Sequence, residues 1–446
     1  MTWKSIRKYS TKMIDYKNYF KNKKVTVVGL GLLGKRLGDI AFFSECGADV
    51  TVTDIKTAKE LAPSLKKLAK YKGIKYTLGE HRFEDFENKD FILKGQGVRL
   101  DSPYILHAQK KGIPIEMDES LFMKLAPEVK IIGITGTRGK STTSILIYEI
   151  LKSAGLRVHL GGNIKGTAAL PLLKIVKPGD VAVFELSSWQ LQGFGEDKIS
   201  PNIAVFTNFM PDHLNYYDNN LKKYFLDKSF IYKYQKKGDT LILSKNMESL
   251  VKGAKGKKII TDIKKIPKNW NISLLGKHNL ENIACAVEVA KLFNVKEEIV
   301  KKAIEKFQAV SGRLELVKNI KGIKIYNDTN STTPEATIVA LNSFPQKVIL
   351  IMGGMDKNID VSSLNKILPN KTKKIFLTPG SGSDKIINKK AHIEKVQDLD
   401  DAMNKAMKEA CGGDIVLFSP AFASFNMFKN EYDRGEKFMK IVKKLK

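Results

Sequence analysis

The segment Gly133-Ile-Thr-Gly-Thr-Arg-Gly-Lys-Ser-Thr142 decides the fold, because it is a glycine-rich turn that ends in Lys140 and Ser141. Glycines let backbone N–H groups face an anion, and the positive end of a following helix favours the same charge. The ammonium of Lys140 adds to this attraction, and the hydroxyl of Ser141 can bind Mg²⁺. The segment therefore predicts a phosphate loop for ATP or GTP.

The sequence on either side of this turn fits a phosphate loop. Residues 129–132 are mostly apolar and predict a buried strand, and residues 142–154 predict a helix that Gly155 ends. The strict pattern of such loops requires glycine at position 134, where this chain has Ile134. A chance Gly-Lys-Ser turn is the alternative interpretation.

Length and cysteine content limit the architecture and the compartment. The chain has 446 residues, too many for one core, and this length predicts about three domains. Its three cysteines, Cys46, Cys285 and Cys411, lie far apart and predict neither a disulfide framework nor a zinc site. Residues 1–24 lack the apolar stretch of a signal peptide, and no apolar run is long enough to span a bilayer. We therefore expect a cytoplasmic protein without a membrane partner.

The formal net charge of +29 first suggests nucleic acid as a partner. Only eight of the 76 basic residues are arginine, and the lysines are spread from Lys4 to Lys446 without a nucleic-acid-binding motif. The charge therefore predicts a solvated basic surface and no nucleic-acid partner. An ATPase stimulated by DNA or RNA stays open as an alternative.

A second glycine-rich turn lies near the amino terminus. A predicted strand over residues 24–28 runs into Gly29-Leu30-Gly31-Leu-Leu-Gly34, and a second strand ends at Asp54. Asp54 follows the last glycine at the distance where a dinucleotide-binding fold has its ribose-binding acid. This pattern alone favours an NAD-dependent oxidoreductase, although a dehydrogenase has no need of a separate triphosphate loop. A helix packed closely on a strand through small residues is the structural alternative.

Polar side chains follow two predicted strands in the middle of the chain. Residues 180–185 form a buried strand ending at Glu185, and residues 201–207 form another that leads to Asp212 and His213. The carboxyl ends of parallel strands meet at one edge of a sheet, so we expect Glu185 and His213 near Ser141, as Mg²⁺ ligands. A helix-capping acid and an ordinary loop histidine are the alternatives.

Taken together, these motifs resemble the Mur ligase family over nearly the whole chain. Each motif is weak alone, but the set occurs in the order typical of the family. The motifs are residues 29–34, 135–142, 161–164 and 185–191, Asp212-His213 with Lys228, residues 275–279 with Asn282, Arg313, Asn327-Asp328, and residues 353–357 and 419–424. The strings at 185–191 and 419–424 favour the members of the family that add D-glutamate.

The resemblance implies an α/β protein of three domains. These are a Rossmann-like domain for the UDP-substrate over residues 1–119, a central P-loop ATPase-like parallel-sheet domain over 120–309, and a Rossmann-like domain for the amino acid over 310–446. It also implies an ADP-forming ligase of peptidoglycan precursor synthesis, which adds D-glutamate to UDP-N-acetylmuramoyl-L-alanine through an acyl phosphate. The expected partners are small molecules only, and the expected state is a monomer.

The resemblance also assigns roles to residues, with ATP and two Mg²⁺ ions as cofactors. The catalytic residues would be Lys140, Glu185, His213, Lys228, Arg313 and Asp328. The ATP-binding residues would be Gly136, Thr137, Arg138, Gly139, Lys140, Ser141, Thr142, Asn279, Asn282, Arg313 and Asp328. The UDP-substrate would contact Gly29, Leu30, Gly31, Gly34, Asp54, Asn163, Ser187 and His213. The amino acid would contact Thr332, Lys357 and Ser424. The metal ligands would be Ser141, Glu185, His213 and Lys228, the last as a carbamylated lysine.

Four departures from the family pattern concern specificity. Arg138 replaces a usual Asn, Gly312 a common His, and Asn330 a frequent Lys, while residues 94–99 replace a usual Ser-Pro-Gly. We expect the ATP chemistry to be independent of these changes. A related ligase that adds another amino acid stays open for this reason, beside the oxidoreductase.

Overall fold

The computed structural model describes residues 12–30, 35–164, 166–425 and 427–445. Three sheets follow one another along the chain, and helices alternate with their strands. The chain forms two compact units, Met1–Pro267 with Glu281–Ile304, and Lys268–Leu280 with Glu305–Lys446. The first unit holds two of the sheets and the second unit holds the third. The predicted α/β class is confirmed, and the predicted domain boundaries stay a prediction.

The first sheet is parallel and has the order β3-β2-β1-β4-β5. Strand β1 lies at the centre of the sheet. The chain runs from β1 to β2 on one side and from β4 to β5 on the other, so the carboxyl ends of β1 and β4 border a crevice. The strands are β1 (Lys24–Val28), β2 (Asp49–Asp54), β3 (Lys75–Leu78), β4 (Phe91–Lys94) and β5 (Ile115–Glu116). The helices are α1 (Tyr16–Phe20), α2 (Lys35–Glu45), α3 (Ala58–Leu68) and α4 (Pro103–Lys110).

The second sheet is also parallel, with the order β11-β10-β9-β6-β8-β7. Its strands are almost entirely buried in the middle of the sheet, as expected where helices cover both faces. The strands are β6 (Lys130–Thr135), β7 (Val158–Gly162), β8 (Val181–Glu185), β9 (Ile203–Phe206), β10 (Thr240–Ser244) and β11 (Lys257–Thr261). The helices from residue 118 to 306 are α5 (Asp118–Leu125), α6 (Lys140–Ser153), α7 (Ser188–Asp197), α8 (Leu221–Lys233), α9 (Lys277–Leu292) and α10 (Glu297–Lys306).

The third sheet, in the second unit, has the order β12-β13-β17-β14-β15-β16. Only β12 and β13 pair antiparallel, as a hairpin at the edge, and the other pairs are parallel. The strands are β12 (Glu315–Ile320), β13 (Ile323–Asn327), β14 (Val348–Gly353), β15 (Thr372–Thr378), β16 (Ile393–Lys395) and β17 (Ile415–Phe418). The helices are α11 (Pro334–Asn342), α12 (Ser362–Lys371), α13 (Leu399–Glu409) and α14 (Glu431–Lys444).

The sequence patterns predicted β1 and the two elements that flank the phosphate loop close to their positions in the structure. Strand β1 has the predicted limits, and β6 and α6 lie where the flanks of the loop predicted them.

The three cysteines are free, with Cys46 and Cys285 buried and Cys411 exposed. Within the described ranges, no helix is both long and apolar enough to cross a membrane.

Helices α5 and α7 pack closely within the first unit at Gly193. A Cβ atom at this position would lie 2.6 Å from both Cβ and Cγ of Met117 and 2.8 Å from Oγ of Ser120. The contact is reinforced by Lys124, whose Nζ atom lies 2.5 Å from Glu116 and 2.8 Å from Asp197. The absence of a side chain at Gly193 therefore allows α5 and α7 to approach this closely.

We predict that Gly193→Ala lowers the free energy of unfolding by about 1–3 kcal/mol, because the added methyl group overpacks the α5–α7 contact. Chemical denaturation monitored by circular dichroism measures this. Gly97→Ala is the matched control, since a Cβ atom at Gly97 meets no atom within 4 Å. Equal stability of the two variants would contradict the packing argument.

Candidate functional site

The phosphate loop between β6 and α6 has room only for glycine at two positions. Gly136 has φ 146°, and a Cβ atom there would lie 1.9 Å from Oγ1 of Thr207. Gly139 has φ 82°, and its Cβ atom would lie 2.3 Å from Oδ1 of Asn282 in α9. The structure thus brings the predicted ATP-binding residues Gly136, Gly139 and Asn282 together.

Asn208, the second residue beyond β9, holds the backbone of the loop in shape. The carbonyl oxygen of Asn208 accepts a hydrogen bond from the N–H of Thr137 at 3.0 Å, and its side-chain Oδ1 accepts one from the N–H of Arg138 at 2.8 Å. The Nδ2 group of Asn208 donates to the carbonyl of Arg138 at 3.1 Å. The loop is therefore preformed by a neighbouring strand, as an anion-binding turn requires.

Lys140 begins α6, and its ammonium lies over the loop. Its Nζ atom donates to the carbonyl oxygens of Gly136 at 3.0 Å and Thr137 at 3.1 Å. Ser141 and Thr142 follow in the first turn of α6. Positive charge and a helix amino terminus thus converge on one turn, an arrangement that favours a phosphate group.

Glu185 ends β8 and is almost completely buried, with 2% of its surface exposed. Asn163, just beyond β7, donates from its backbone N–H to the Glu185 carbonyl at 2.8 Å and from Nδ2 to Oε1 at 3.1 Å. The second carboxylate oxygen, Oε2, is buried and has no hydrogen-bond donor among the described residues. A buried carboxylate oxygen without a donor is suited to a cation, so Glu185 fits the predicted Mg²⁺ site.

Lys228 projects from α8 beneath the phosphate loop and is 1% exposed. Its Nζ atom donates to the carbonyl of Gly136 at 2.8 Å and lies 4.9 Å from the centre of the Tyr224 ring. Burial, reinforced by the positive charge of Lys140, lowers the pKa of Lys228 well below its usual range. The lysine is therefore part of the site and not a solvated surface residue.

His213 lies in the segment between β9 and α8, with φ 54° and a partly exposed ring. The ring packs against Trp189, with 4.7 Å between the ring centres. The preceding residue, Asp212, pairs with Arg138 at 2.7 Å and has its Oδ2 atom 3.7 Å from Nε2 of His213. No cluster of three or more His, Cys, Asp or Glu side chains suited to a metal ion occurs in the part of the chain that the structure describes.

The residues predicted to bind the UDP-substrate belong to the carboxyl edges of the first two sheets. Gly29 follows β1 with φ 83°, Leu30 is buried beside it, and Asp54 ends β2 with its Oδ1 atom accepting the N–H of Lys56 at 2.9 Å. Asn163, Ser187 and His213 follow β7, β8 and β9. The predicted residues Gly31 and Gly34 lie outside the described residues.

Ser187, predicted to contact the UDP-substrate, is the amino-terminal cap of α7. Its hydroxyl accepts the backbone N–H of Gln190 at 3.3 Å, and the Gln190 side chain accepts the backbone N–H of Ser187 at 2.8 Å. This reciprocal pair is a capping box, which begins α7. The hydroxyl of Ser187 is therefore engaged in the helix cap.

In the second unit, Asp328 is buried directly after β13. Its carboxylate accepts hydrogen bonds from the backbone N–H of Leu314 at 3.1 Å, from Oγ of Ser331 at 2.5 Å and from Oγ of Ser419 at 2.8 Å. Burial raises the pKa of Asp328 to about 6, although these donors and the charge of Arg313 act in the opposite direction. The carboxylate thus titrates close to neutral pH.

The residues predicted to bind the amino acid occur on neighbouring loops of the second unit. The Nζ atom of Lys357 donates to Oγ1 of Thr332 at 3.2 Å. Backbone hydrogen bonds join Met355 and Ala423, which brings the loop of Lys357 beside that of Ser424.

Asn279, a predicted ATP-binding residue, donates from its Nδ2 group to the carbonyl oxygen of Leu275 at 2.8 Å.

Arg434 is a buried residue that the sequence analysis missed. It is 2% exposed and donates to the carbonyl oxygens of Thr329 at 2.8 Å and Phe422 at 3.0 Å. These bonds tie the loop of Asp328 and Thr332 to the loop of Ser424. Burial lowers the pKa of Arg434 to about 10. The one signal in the sequence was the adjacent Gly435, because a glycine inside a helical pattern often marks close packing. In the structure a Cβ atom at Gly435 would lie 2.8 Å from Cγ2 of Thr329.

Three family models match this chain and together span most of it. Their descriptions are a Mur ligase MurD-like N-terminal domain at residues 23–116, a Mur ligase middle domain at residues 134–264, and a Mur ligase glutamate ligase domain at residues 312–422. Each match contains one of the three sheets or most of it.

Curated relatives are similar to this chain over nearly their whole length. A protein of Acetivibrio thermocellus is 35% identical, and the alignment covers 97% of this chain and 99% of the relative. A protein of Clostridium kluyveri is 36% identical, with 96% and 98% covered. Both are named UDP-N-acetylmuramoylalanine–D-glutamate ligase.

Solved structures with low sequence identity share the fold. The UDP-N-acetylmuramate–alanine ligase of Thermotoga maritima has a TM-score of 0.61 at 20% identity, covering 94% of this chain and 99% of that one. The MurF ligase of Thermotoga maritima, solved with ADP, has a TM-score of 0.59 at 18% identity, covering 89% and 94%. These similarities agree with the parallel α/β architecture.

We predict that the stability of the wild-type protein falls relative to Asp328→Asn as pH rises from 4 to 7. A raised pKa in the folded state favours the protonated form, so its stabilising contribution is complete below the unfolded value and is lost as pH rises through about 6. The difference between the two proteins should change by about 2 kcal/mol over this window. Denaturant titration at several pH values measures it, and parallel pH curves would refute the assignment.

Proposed function

This chain belongs to the Mur ligase family, and on that premise we propose that it is the ATP-dependent ligase that joins D-glutamate to UDP-N-acetylmuramoyl-L-alanine. The observation that carries this proposal is the similarity at about 35% identity, over nearly the whole chain, to relatives that bear this name. The predicted ligase class follows from the family. The oxidoreductase is disfavoured, because the family models and the relatives similar to this chain are those of ligases.

The reaction needs ATP because an amine does not attack a carboxylate at neutral pH. Transfer of the γ-phosphoryl group to the alanyl carboxylate gives an acyl phosphate and ADP. The amine of D-glutamate then adds to this carbonyl, and inorganic phosphate leaves as the amide forms. Negative charge grows on phosphoryl and carbonyl oxygens in both steps, so we expect electrostatic stabilisation to be the main contribution to catalysis.

We propose that the phosphate loop holds the triphosphate through its backbone N–H groups and Lys140. Asn208 fixes the backbone of this loop, and the Lys140 ammonium already lies over it, which supports this role. Ser141, Glu185, His213 and a modified Lys228 would hold two Mg²⁺ ions, which supply positive charge to the phosphoryl oxygens when bound. The buried Oε2 atom of Glu185 supports the presence of a cation.

We propose that Lys228 is carbamylated, as the resemblance suggests. Its amine would attack CO₂, forming an N–C bond and releasing a proton, so that the side chain ends in a carbamate. An ammonium at this buried position lies near the positive charge of Lys140 and would repel a divalent cation, by about 8 kcal/mol at 4 Å and an effective dielectric constant near 20. A carbamate reverses that sign and provides oxygen ligands.

We propose that the crevice of the first sheet binds the UDP group at Gly29, Leu30 and Asp54, together with the predicted Gly31 and Gly34. The residues of the second unit would serve the other substrates. Thr332, Lys357 and Ser424 offer two hydroxyls and one cation, which suit the carboxylates of D-glutamate, whereas Arg313 and Asp328 would act on the nucleotide. We further propose that the protein works as a monomer in the cytoplasm, with no nucleic-acid or membrane partner.

We predict that ADP is released only when ATP, UDP-N-acetylmuramoyl-L-alanine and D-glutamate are all present. A coupled ADP assay with a panel of UDP-sugar acids and amino acids measures this. The panel includes L-glutamate and a neutral and a basic D-amino acid, because the departure at Asn330 removes a positive charge typical of the family. A higher kcat/KM with any of these would overturn the assignment of D-glutamate, and stabilisation against heat by NAD but not by the UDP-substrate would support the oxidoreductase.

We predict that Lys228→Ala loses nearly all activity, whereas Lys228→Glu retains more, because a carboxylate can replace part of a carbamate. A small carboxylic acid added to the alanine variant should restore part of its turnover. Steady-state ADP release measures all three effects. Lys233→Ala, which alters an exposed lysine on the same helix, is the matched control and should keep full activity. An alanine variant with full activity, or one that no carboxylic acid rescues and that equals Lys228→Glu, would exclude the carbamate.

A further inference from the structure

The segment between β9 and α8, residues 207–220 and here termed the histidine loop, carries His213. Its backbone is unusual, because His213, Asp218 and Asn219 have φ angles of 52–56°. Such angles are disfavoured for residues other than glycine and persist where neighbouring contacts enforce them. The contacts that hold this loop therefore decide where the His213 ring lies.

One end of the histidine loop is held from the phosphate loop. The guanidinium of Arg138 lies 2.7 Å from Oδ2 of Asp212, and Oδ1 of the same carboxylate accepts the backbone N–H of His213 at 2.9 Å. Asp212 thus connects Arg138 directly to the backbone of His213.

The other end is held by Arg99, which follows β4 of the first sheet. Its Nη1 atom donates to the carbonyl of Tyr216 at 2.6 Å, its Nη2 atom lies 3.2 Å from Asp218, and its guanidinium lies 5.3 Å from the centre of the Tyr216 ring. Two further bonds of 2.7 Å join Arg99 to Asp101 in a bidentate pair, which fixes the plane of the guanidinium. Arg99 therefore contacts the backbone, the ring and a charge of the loop at once.

The loop that presents Arg99 is itself held from within the first sheet. Lys94 is fully buried, and its Nζ atom donates to the carbonyl of Val98 at 2.8 Å. The carbonyl of Lys94 accepts a hydrogen bond from Arg36 at 3.0 Å. Arg99 thus projects from a fixed turn at the crevice of the first sheet, where Val98 lies near Gly29.

Tyr216 transmits the contact of Arg99 to His213 by two routes. The backbone N–H of Tyr216 donates to the carbonyl of His213 at 2.9 Å. The Tyr216 ring packs on Trp189 with 5.4 Å between centres, and Trp189 packs on the His213 ring at 4.7 Å. Both the backbone and the ring of His213 therefore depend on the position of Tyr216.

We propose that Arg99 is a positioning residue, which links the turn after β4 at the crevice of the first sheet to His213 at the edge of the second sheet, while Arg138 fixes the opposite end of the histidine loop. The inference rests on the proposed function in that His213 acts on the reaction.

The test compares Arg99→Ala with Arg82→Ala in the full-length protein. Arg82 is an exposed arginine of the same domain that pairs with Glu80, so it matches the change in charge without touching the histidine loop. Partly exposed ion pairs contribute little to stability, so both variants should melt within a few degrees of the wild type. For Arg99→Ala we expect kcat to fall about tenfold and KM for the UDP-substrate to rise, with KM for D-glutamate unchanged. Arg99→Lys should restore part of the loss.

A second measurement does not need ligase activity. The chain has three tryptophans, and replacing Trp3 and Trp270 by Phe leaves Trp189 as the only emitter. In that background Arg99→Ala should increase quenching of Trp189 by acrylamide, and Arg82→Ala should not. An inactive wild-type protein would defeat the proposed function but leave this readout intact. The positioning role is overturned if Arg99→Ala matches Arg82→Ala in fluorescence, or if its kcat and all KM values equal those of the wild type.

Discussion

The site depends on the close approach of Gly136 to the end of β9. Thr207 occupies the place that a side chain at position 136 would need, and its hydroxyl lies 2.6 Å from the carbonyl oxygen of Arg138, to which it can donate, and 3.2 Å from that of Thr135. The Gly136 carbonyl, turned by this geometry, accepts hydrogen bonds from both Lys140 and Lys228. Two lysines from different helices therefore meet at one carbonyl oxygen, and the positive charge of Lys140 adds to the burial that lowers the pKa of Lys228.

Local sequence patterns predicted the strands and helices around this approach, because each follows from hydrophobic spacing and glycine turns over a few residues. The same patterns placed Glu185 at the end of a strand. They could not show that Asn163 would orient the Glu185 carboxylate, because that contact depends on a neighbouring strand. The cap at Ser187 was readable, since Ser187 and Gln190 have the spacing of a capping box, but the sequence analysis assigned Ser187 only to the substrate. The site residues Gly31 and Gly34 lie outside the described residues, and the roles assigned through the family resemblance remain proposals.

The contacts of two arginines, Arg434 and Arg99, could not be predicted from the sequence. Arg434 bonds to Thr329, 105 positions away along the chain, and in the sequence it is one more charge in an amphipathic carboxy-terminal helix. Arg99 is similar, because Tyr216 and Asp218 are similarly distant in sequence. In a chain with 76 basic residues, the sequence alone does not show which arginines are structural. Only burial or a specific carbonyl partner distinguishes a structural arginine from a solvated one.

The tight contact at Gly136 also limits how this phosphate loop can evolve. A smaller residue at position 207 would remove the nearest obstacle, but φ 146° and the backbone of Asn208 about 3.1 Å away would still oppose any side chain at position 136. No single compensating change opens this position, whereas the side chain of Arg138, two residues further, extends away from the loop to Asp212. Position 136 should therefore remain glycine in descendants of this chain, so that any adaptation of the loop has to occur at its other positions.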